Sequence, residues 1–304
     1  LTGTGVVFVE DGTFVEDTST LTYSGTNDMD VLSTDYYNLV LAAAGGAPTY
    51  TATGLGIQVF GNMQVGGTAA TVFTLDANDP AFNLDGDLLI TANGTLIASN
   101  SGVFTLAGSY DNNGALTANS GTLTFDGSGT HTIAAGNSTF ATVDIMGTGA
   151  FTVTEHATSM TAFMLSENPA AFTLASGQTL SVTGAFTNNL GGAATTWTGS
   201  ELYLFGGGNY LINPATTSDA YDVLHVGDTT QIRMWNSVAS TTTISGTGSL
   251  YSMDHNNVPG DLYVYGTYEH TSGTDHWSYA TDFDGSDLSG GSERQADVYI
   301  QSGA

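Results

Sequence analysis

The chain of 304 residues contains no lysine and no cysteine. Its whole cationic complement is Arg233 and Arg294, against 29 acidic residues, for a net charge of −27. Without lysine there is no phosphate-binding loop of the P-loop type, no isopeptide bond built on a lysine amine, and only two places for trypsin to cut. Without cysteine there are no disulfides and no thiolate metal sites. Nucleic acid and anionic membrane surfaces both call for cationic side chains, so neither is an expected partner. No apolar run approaches the 18 residues of a membrane-spanning helix. Proline occurs five times, always in loop-like surroundings, and helix signals are nearly missing. Leu39–Ala44, LVLAAA, is the one stretch that tolerates a helical turn.

What the chain has in quantity is glycine, 40 residues, about twice the usual ~7%. Thr, Ser, Asn and Asp fill most other polar positions. These are turn and strand-surface residues. A hydrophobic fraction of 40%, with 14 Tyr and 14 Phe, is that of a folded chain with a large core.

One phrase recurs: apolar, polar, apolar, any, Gly, any, large apolar, then a polar turn. It reads IQVFGNMQVGG at Ile57–Gly67, FTLAGSYDNNG at Phe104–Gly114, LSVTGAFTNNLGG at Leu180–Gly192 and LYVYGTYEHTSG at Leu262–Gly273. Period-two alternation marks strands with one buried face. The fifth-position glycines (Gly61, Gly108, Gly184, Gly266) mark a bend or a close backbone approach. A second phrase follows at Leu21–Gly25, Leu123–Gly127 and Leu202–Gly206, with a degraded copy at Thr281–Gly285. A third, an aromatic followed by alternating apolar residues, stands at Tyr36–Leu41, Phe140–Ile145 and Tyr221–Val226. Copies of the first phrase begin 47, 76 and 82 residues apart, which fits stacked coils with insertions of variable length. The beginning and end of the sequence fall at about the same point of the repeat, as expected of a window on a longer array or of a unit whose two ends meet those of neighbouring copies.

The predicted fold is therefore all-β, a parallel β-solenoid (β-helix) with irregular insertions, running through residues 1–304 as one elongated repeat domain. Turns of roughly 20–25 residues give about a dozen turns. The alternative is a row of antiparallel β-sandwich modules. The texture of GTLTFDGSGTHTI at Gly121–Ile133 and FATVDIMGTG at Phe140–Gly149 resembles the Gly/Thr-rich repeats of large bacterial surface proteins, β-solenoid adhesins and autotransporter-like passengers. That resemblance implies secretion and a structural or adhesive role, and it transfers no functional residue.

No catalytic signature is present, and no catalytic, cofactor or metal residue is assigned. G-x-S-x-G does not occur. Asp282, Asp284 and Asp287, and separately Asp76, Asn78, Asp79, Asp85 and Asp87, could offer oxygens to Ca²⁺ but lack the spacing of known Ca²⁺ loops and read as solvated turns. None of His131, His156, His225, His255, His270 and His276 has helical zinc spacing, and the His270, Asp275, His276 group reads as a polar loop. Asn93-Gly-Thr95 and Asn137-Ser-Thr139 match the glycosylation pattern, which arises readily by chance in so Thr-rich a chain. Tyr263, Tyr265, Tyr268, Trp277 and Tyr279 form the densest aromatic group and could stack on sugars. The expected function is an extracellular, cell-surface structural protein: a self-assembling filament, sheath or surface-layer subunit, or a segment of a fibrous adhesin. Its partners are other copies of itself, end-to-end or lateral. A carbohydrate-binding adhesin with glycans as ligands is the first alternative, and a polysaccharide hydrolase on a β-helix, using clustered carboxylates, is the second.

Overall fold

The structure, a computed structural model, describes residues 1–9, 15–190, 194–205 and 221–225 in full; elsewhere beyond residue 205 it describes the backbone of the strands alone. The described residues are all-β, with parallel strands stacked as a β-solenoid of about nine turns. Contacts divide the chain into two compact units, Leu1–Phe151 with Glu155–Ala157, and Thr152–Thr154 with Thr158–Ala304.

In the first unit each turn visits three sheets. The first sheet stacks Gly5–Val6, Met29–Leu32, Thr49–Thr53, Thr71–Thr74, Gly94–Ile97 and Ala115–Thr117. The second includes Thr20–Tyr23, Asn38–Leu41, Met63–Val65, Leu88–Ile90, Tyr110–Asn112 and Thr130–Ala134. The third begins Asp35–Tyr36, Gly56–Val59, Ala81–Leu84, Val103–Leu106, Thr122–Phe125 and Thr139–Ile145. The first sheet ends at Ala115–Thr117, and later turns use two faces. Every described register in this unit is parallel, which excludes tandem antiparallel sandwiches there. Proline respects the ladders: Pro48 and Pro80 each stand just before a strand, where no ladder donor is missed.

Turns run from slightly below the expected length to its upper end. Leu21 pairs with Leu39, 18 residues on, and Met63 with Leu88, 25 on. The count is about nine against the expected dozen because the last strand of the second sheet is Thr195–Thr196, and later strands join the third sheet only. The helix-tolerant LVLAAA starts inside the strand Asn38–Leu41, where Leu39 and Leu41 are fully buried in alternation.

The core is built from like residues stacked one turn apart. Ile57, Phe82, Phe104, Leu123 and Val143 are successive partners on the third sheet. The Phe82 and Phe104 rings meet edge to face at 5.0 Å. Each such side chain contributes about 1.5–3 kcal/mol by leaving water. Buried tyrosines satisfy their hydroxyls locally: Tyr50 donates to the Gly25 carbonyl at 2.7 Å, and Tyr36 to that of Leu32 at 2.7 Å.

These registers explain the three recurring phrases. Phe104 and Leu123, which open the first and second phrases, and Val143, the fourth residue of the third, stack directly on one another. In the second unit Leu180, Leu202 and Leu224 do the same. Consecutive phrases are one sheet position met in consecutive turns. The match fails at Leu21–Gly25, which lies on the second sheet, although it too pairs with its third phrase, Leu21 on Leu39 and Tyr23 on Leu41.

The second unit keeps parallel stacking with a chain of large rings inside. Phe163 lies 6.0 Å from Phe172, Phe172 5.4 Å from Trp197, and Trp197 4.9 Å from Tyr221. Strands Thr179–Val182 and Ala185–Asn188 both belong to the third sheet and pair with different strands of the next turn. One described pairing there is antiparallel, Thr274–Trp277 with Thr281–Asp282.

Candidate functional site

The corner between the third and second sheets carries the most regular polar structure in the first unit. The third-sheet strand ends, a glycine follows, then one small polar residue, then the second-sheet strand. That polar residue is Asn62, Asp87 or Ser109 in successive turns, with Thr20, Asn38 and Thr132 at the equivalent place in the other turns. Asn38, Asn62, Asp87 and Ser109 each accept a hydrogen bond from the next turn's backbone. The N–H of Asn62 donates to Asn38 Oδ1 (2.8 Å), that of Asp87 to Asn62 Oδ1 (2.9 Å), that of Ser109 to Asp87 Oδ1 (2.7 Å) and that of Thr132 to Ser109 Oγ (3.1 Å). Asn38 Nδ2 extends the series to Thr20 Oγ1 at 3.2 Å. The glycine beside the ladder lets the turns close up. A methyl on Gly108 would clash with the Gly86 carbonyl, so the close approach expected of this position is present.

This ladder forms one wall of a groove of about 620 Å³ on the outer face of the second sheet. Its floor is the outward register column Val40, Gln64, Leu89 and Asp111, each paired with the next. The lining holds two carboxylates, Asp87 and Asp111, and no cationic side chain. Gln64 Nε2 donates to the Gly66 carbonyl (2.8 Å), and Asp111 Oδ1 accepts from Asn113 Nδ2 (2.8 Å).

Of these residues sequence reasoning singled out Asp87 alone, as part of an acidic stretch, and treated the position after glycine as free. It also passed over a copy of the first phrase, FNLDGDL at Phe82–Leu88, which fits the template and carries Asp87. With that copy the spacing of 47 residues resolves into turns of 25 and 22.

The acidic stretch Asp76, Asn78, Asp79, Asp85 and Asp87 is not one site. The first three occupy the turn before Ala81–Leu84 and brace neighbouring turns: Asn78 donates to the Ala52 carbonyl (2.7 Å), and Asp79 accepts from the Asn100 N–H (2.6 Å). Asp85 and Asp87 lie at the opposite end of that strand. The Asp126 carboxyl, on the corner after Thr122–Phe125, is pushed above its usual range by burial, with Asp85 adding to the effect. Among the described residues no group of three metal-ligating side chains forms.

The histidines are scattered. His131 packs on Phe151 at 5.3 Å, and its Nε2 accepts from the Gly129 N–H (2.9 Å); His156 is exposed. His225 in the second unit stacks on Tyr203 at 3.8 Å, and its Nε2 lies 3.6 Å from Glu201 Oε2. The Tyr203 hydroxyl donates to that same oxygen at 2.8 Å. Burial lowers the His225 pKa and outweighs the opposing pull of the neighbouring carboxylate. Asn93 is exposed and donates to the Gly67 carbonyl (3.0 Å), and Asn137 is exposed with φ of 57°. The side chains of Tyr263, Tyr265, Tyr268, Trp277, Tyr279, Asp275, Asp282, Asp284, Asp287, His255, His270 and His276 lie outside the described residues.

No family model, no curated protein and no solved structure matches this chain.

Proposed function

We propose that the chain is a structural segment of the cell exterior, a stacking module of a filament, sheath or fibrous adhesin whose partners are further copies of itself. The observation that carries this reading is the ladder from Thr20 to Thr132, in which small polar side chains are engaged in binding one turn to the next. Such a device makes each turn a template for another, because a parallel strand left at the end of a stack offers unpaired backbone groups to a second copy. The absence of lysine supports an exposed setting, since tryptic cleavage has two candidate positions in 304 residues. The high negative charge keeps such surfaces from sticking nonspecifically. Electron microscopy of the purified protein at high concentration should show end-to-end assemblies. Compact, monodisperse particles at every concentration and ionic strength would refute the reading.

A further inference from the structure

Three members of the ladder that line the groove, Asn62, Asp87 and Ser109, keep hydrogen-bonding capacity that the ladder does not use. Asn62 accepts through Oδ1, and its Nδ2 has no partner among the described residues. Asp87 and Asp111 each accept through Oδ1, leaving Oδ2. Ser109 accepts on Oγ and keeps its proton to donate. Gln64 donates through Nε2 and leaves Oε1. Donors and acceptors therefore alternate along the groove at about one strand spacing, ~4.8 Å. Between them lie the aliphatic side chains of Val40 and Leu89, half-buried and facing outward.

This combination selects a ligand class. A hydroxyl is donor and acceptor at once and satisfies amide, carboxylate and serine alike, while the C–H face of a sugar ring covers an aliphatic patch. Anionic ligands meet two carboxylates, no cation in the lining and a chain of net charge −27. A cationic ligand would leave the Asn62 amide and the Val40 and Leu89 patches unmatched. The groove crosses strands from six successive turns, about 24 Å at that spacing, the dimensions of an extended polymer rather than a single sugar. We infer that the outer face of the second sheet binds a neutral, linear polysaccharide strand laid across the strands along the ladder.

The inference is independent of self-assembly: a chain that stays monodisperse yet binds glycan keeps this proposal and loses the other. Affinity electrophoresis of the intact chain in gels containing soluble β-glucan, xylan or mannan, with polygalacturonate and an oligo-lysine peptide as controls, provides the test. At least one neutral polymer should retard the protein, and polygalacturonate should not. Asp111→Ala, at an exposed position outside the ladder, should weaken retardation about fivefold, the equivalent of one hydrogen bond. Leu89→Arg, which lays a long side chain along the floor, should weaken it further, with the thermal midpoint confirming the fold. If Leu89→Arg fails to fold, Gln64→Ala serves in its place and should weaken retardation measurably. Retardation by no neutral polymer, by polygalacturonate or oligo-lysine alone, or undiminished in the folded variants would overturn the proposal.

Discussion

Asn112 in the first unit and Asn188 in the second occupy the same place in two copies of one phrase, SYDNNG and AFTNNLG, and the structure treats them almost alike. Each is the last inward residue of its strand, 3% and 0% exposed, in an otherwise apolar interior. Each accepts through Oδ1 from the backbone N–H two residues on, Gly114 at 3.0 Å and Leu190 at 3.1 Å, and so turns the chain. Each donates through Nδ2 to a hydroxyl of a later turn. That hydroxyl is Ser138, 26 residues on at 2.7 Å, in one unit, and Tyr221, 33 residues on at 3.3 Å, in the other. The local turn is fixed by the phrase; the partner is whatever side chain the stack brings alongside. In the first unit a small serine leaves room for Tyr110, whose hydroxyl lies 3.4 Å from Ser138 and whose pKa burial drives above its usual range. In the second, Tyr221 is itself the partner and packs against Trp197.

Removing the shared residue should have the largest effect. Asn112→Leu strands the Gly114 N–H and strips Ser138 of its donor, for a loss of about 3 kcal/mol. By calorimetry this should lower the melting of the first unit by about 10 °C. Asn188→Leu should cost about 2 kcal/mol, because the bond it forfeits to Tyr221 is longer. Equal losses would mean that the turn alone matters and the cross-turn hydroxyl does not. The partners sharpen the point. Ser138→Ala removes the Asn112 acceptor and a bond to the Ala135 carbonyl, at a cost of about 2 kcal/mol, whereas Tyr221→Phe keeps the ring packing and should cost about 1 kcal/mol. If Tyr221→Phe proves the more costly, the long bond to Asn188 has been undervalued.

The same pair shows what a sequence of this kind discloses. Alternation at Ile57 and Val59, Phe104 and Leu106, Leu180 and Val182 gave the inward faces correctly, because period two is a local property of a strand. The glycines at 61 and 108 were recognised as close approaches for a similar reason. Asn112 and Asn188 were read as part of a polar turn, although strand parity from Tyr110 and Phe186 places them inside. An amide in a core contradicts composition, and its compensating hydroxyl lies a full turn away. The ladder escaped notice for the same cause. Its bonds join residues 18 to 25 positions apart, a separation that changes from turn to turn, so no single period reveals them. The acidic run at Asp76–Asp87 was read as one stretch of solvated turn because neighbours in sequence were taken as neighbours in space. A strand of four residues separates its two halves.

The smallest expected effect sets the two units apart by pH. The polar groups around Asn112 include none that titrates near neutrality, since Tyr110 is driven in the alkaline direction. The second unit carries His225, stacked on Tyr203 beside Glu201, on strands that pair directly, Glu201–Phe205 with Ala220–Gly227. Its pKa is lowered by burial, so the unfolded chain takes up a proton more readily than the folded one as pH drops below about 6.5. The associated stability is complete above that value and is lost as pH falls through the lower folded one. Partial exposure and the opposing pull of Glu201 keep the effect small. Between pH 7.5 and 5.5 the melting of the second unit should fall slightly more in the wild type than in His225→Gln, and that of the first unit should be the same in both. An identical decline of the second unit in the two proteins would show that the imidazole is as easily protonated in the folded chain as in water. The stacked Tyr203 ring and the neighbouring strand would then not shield it.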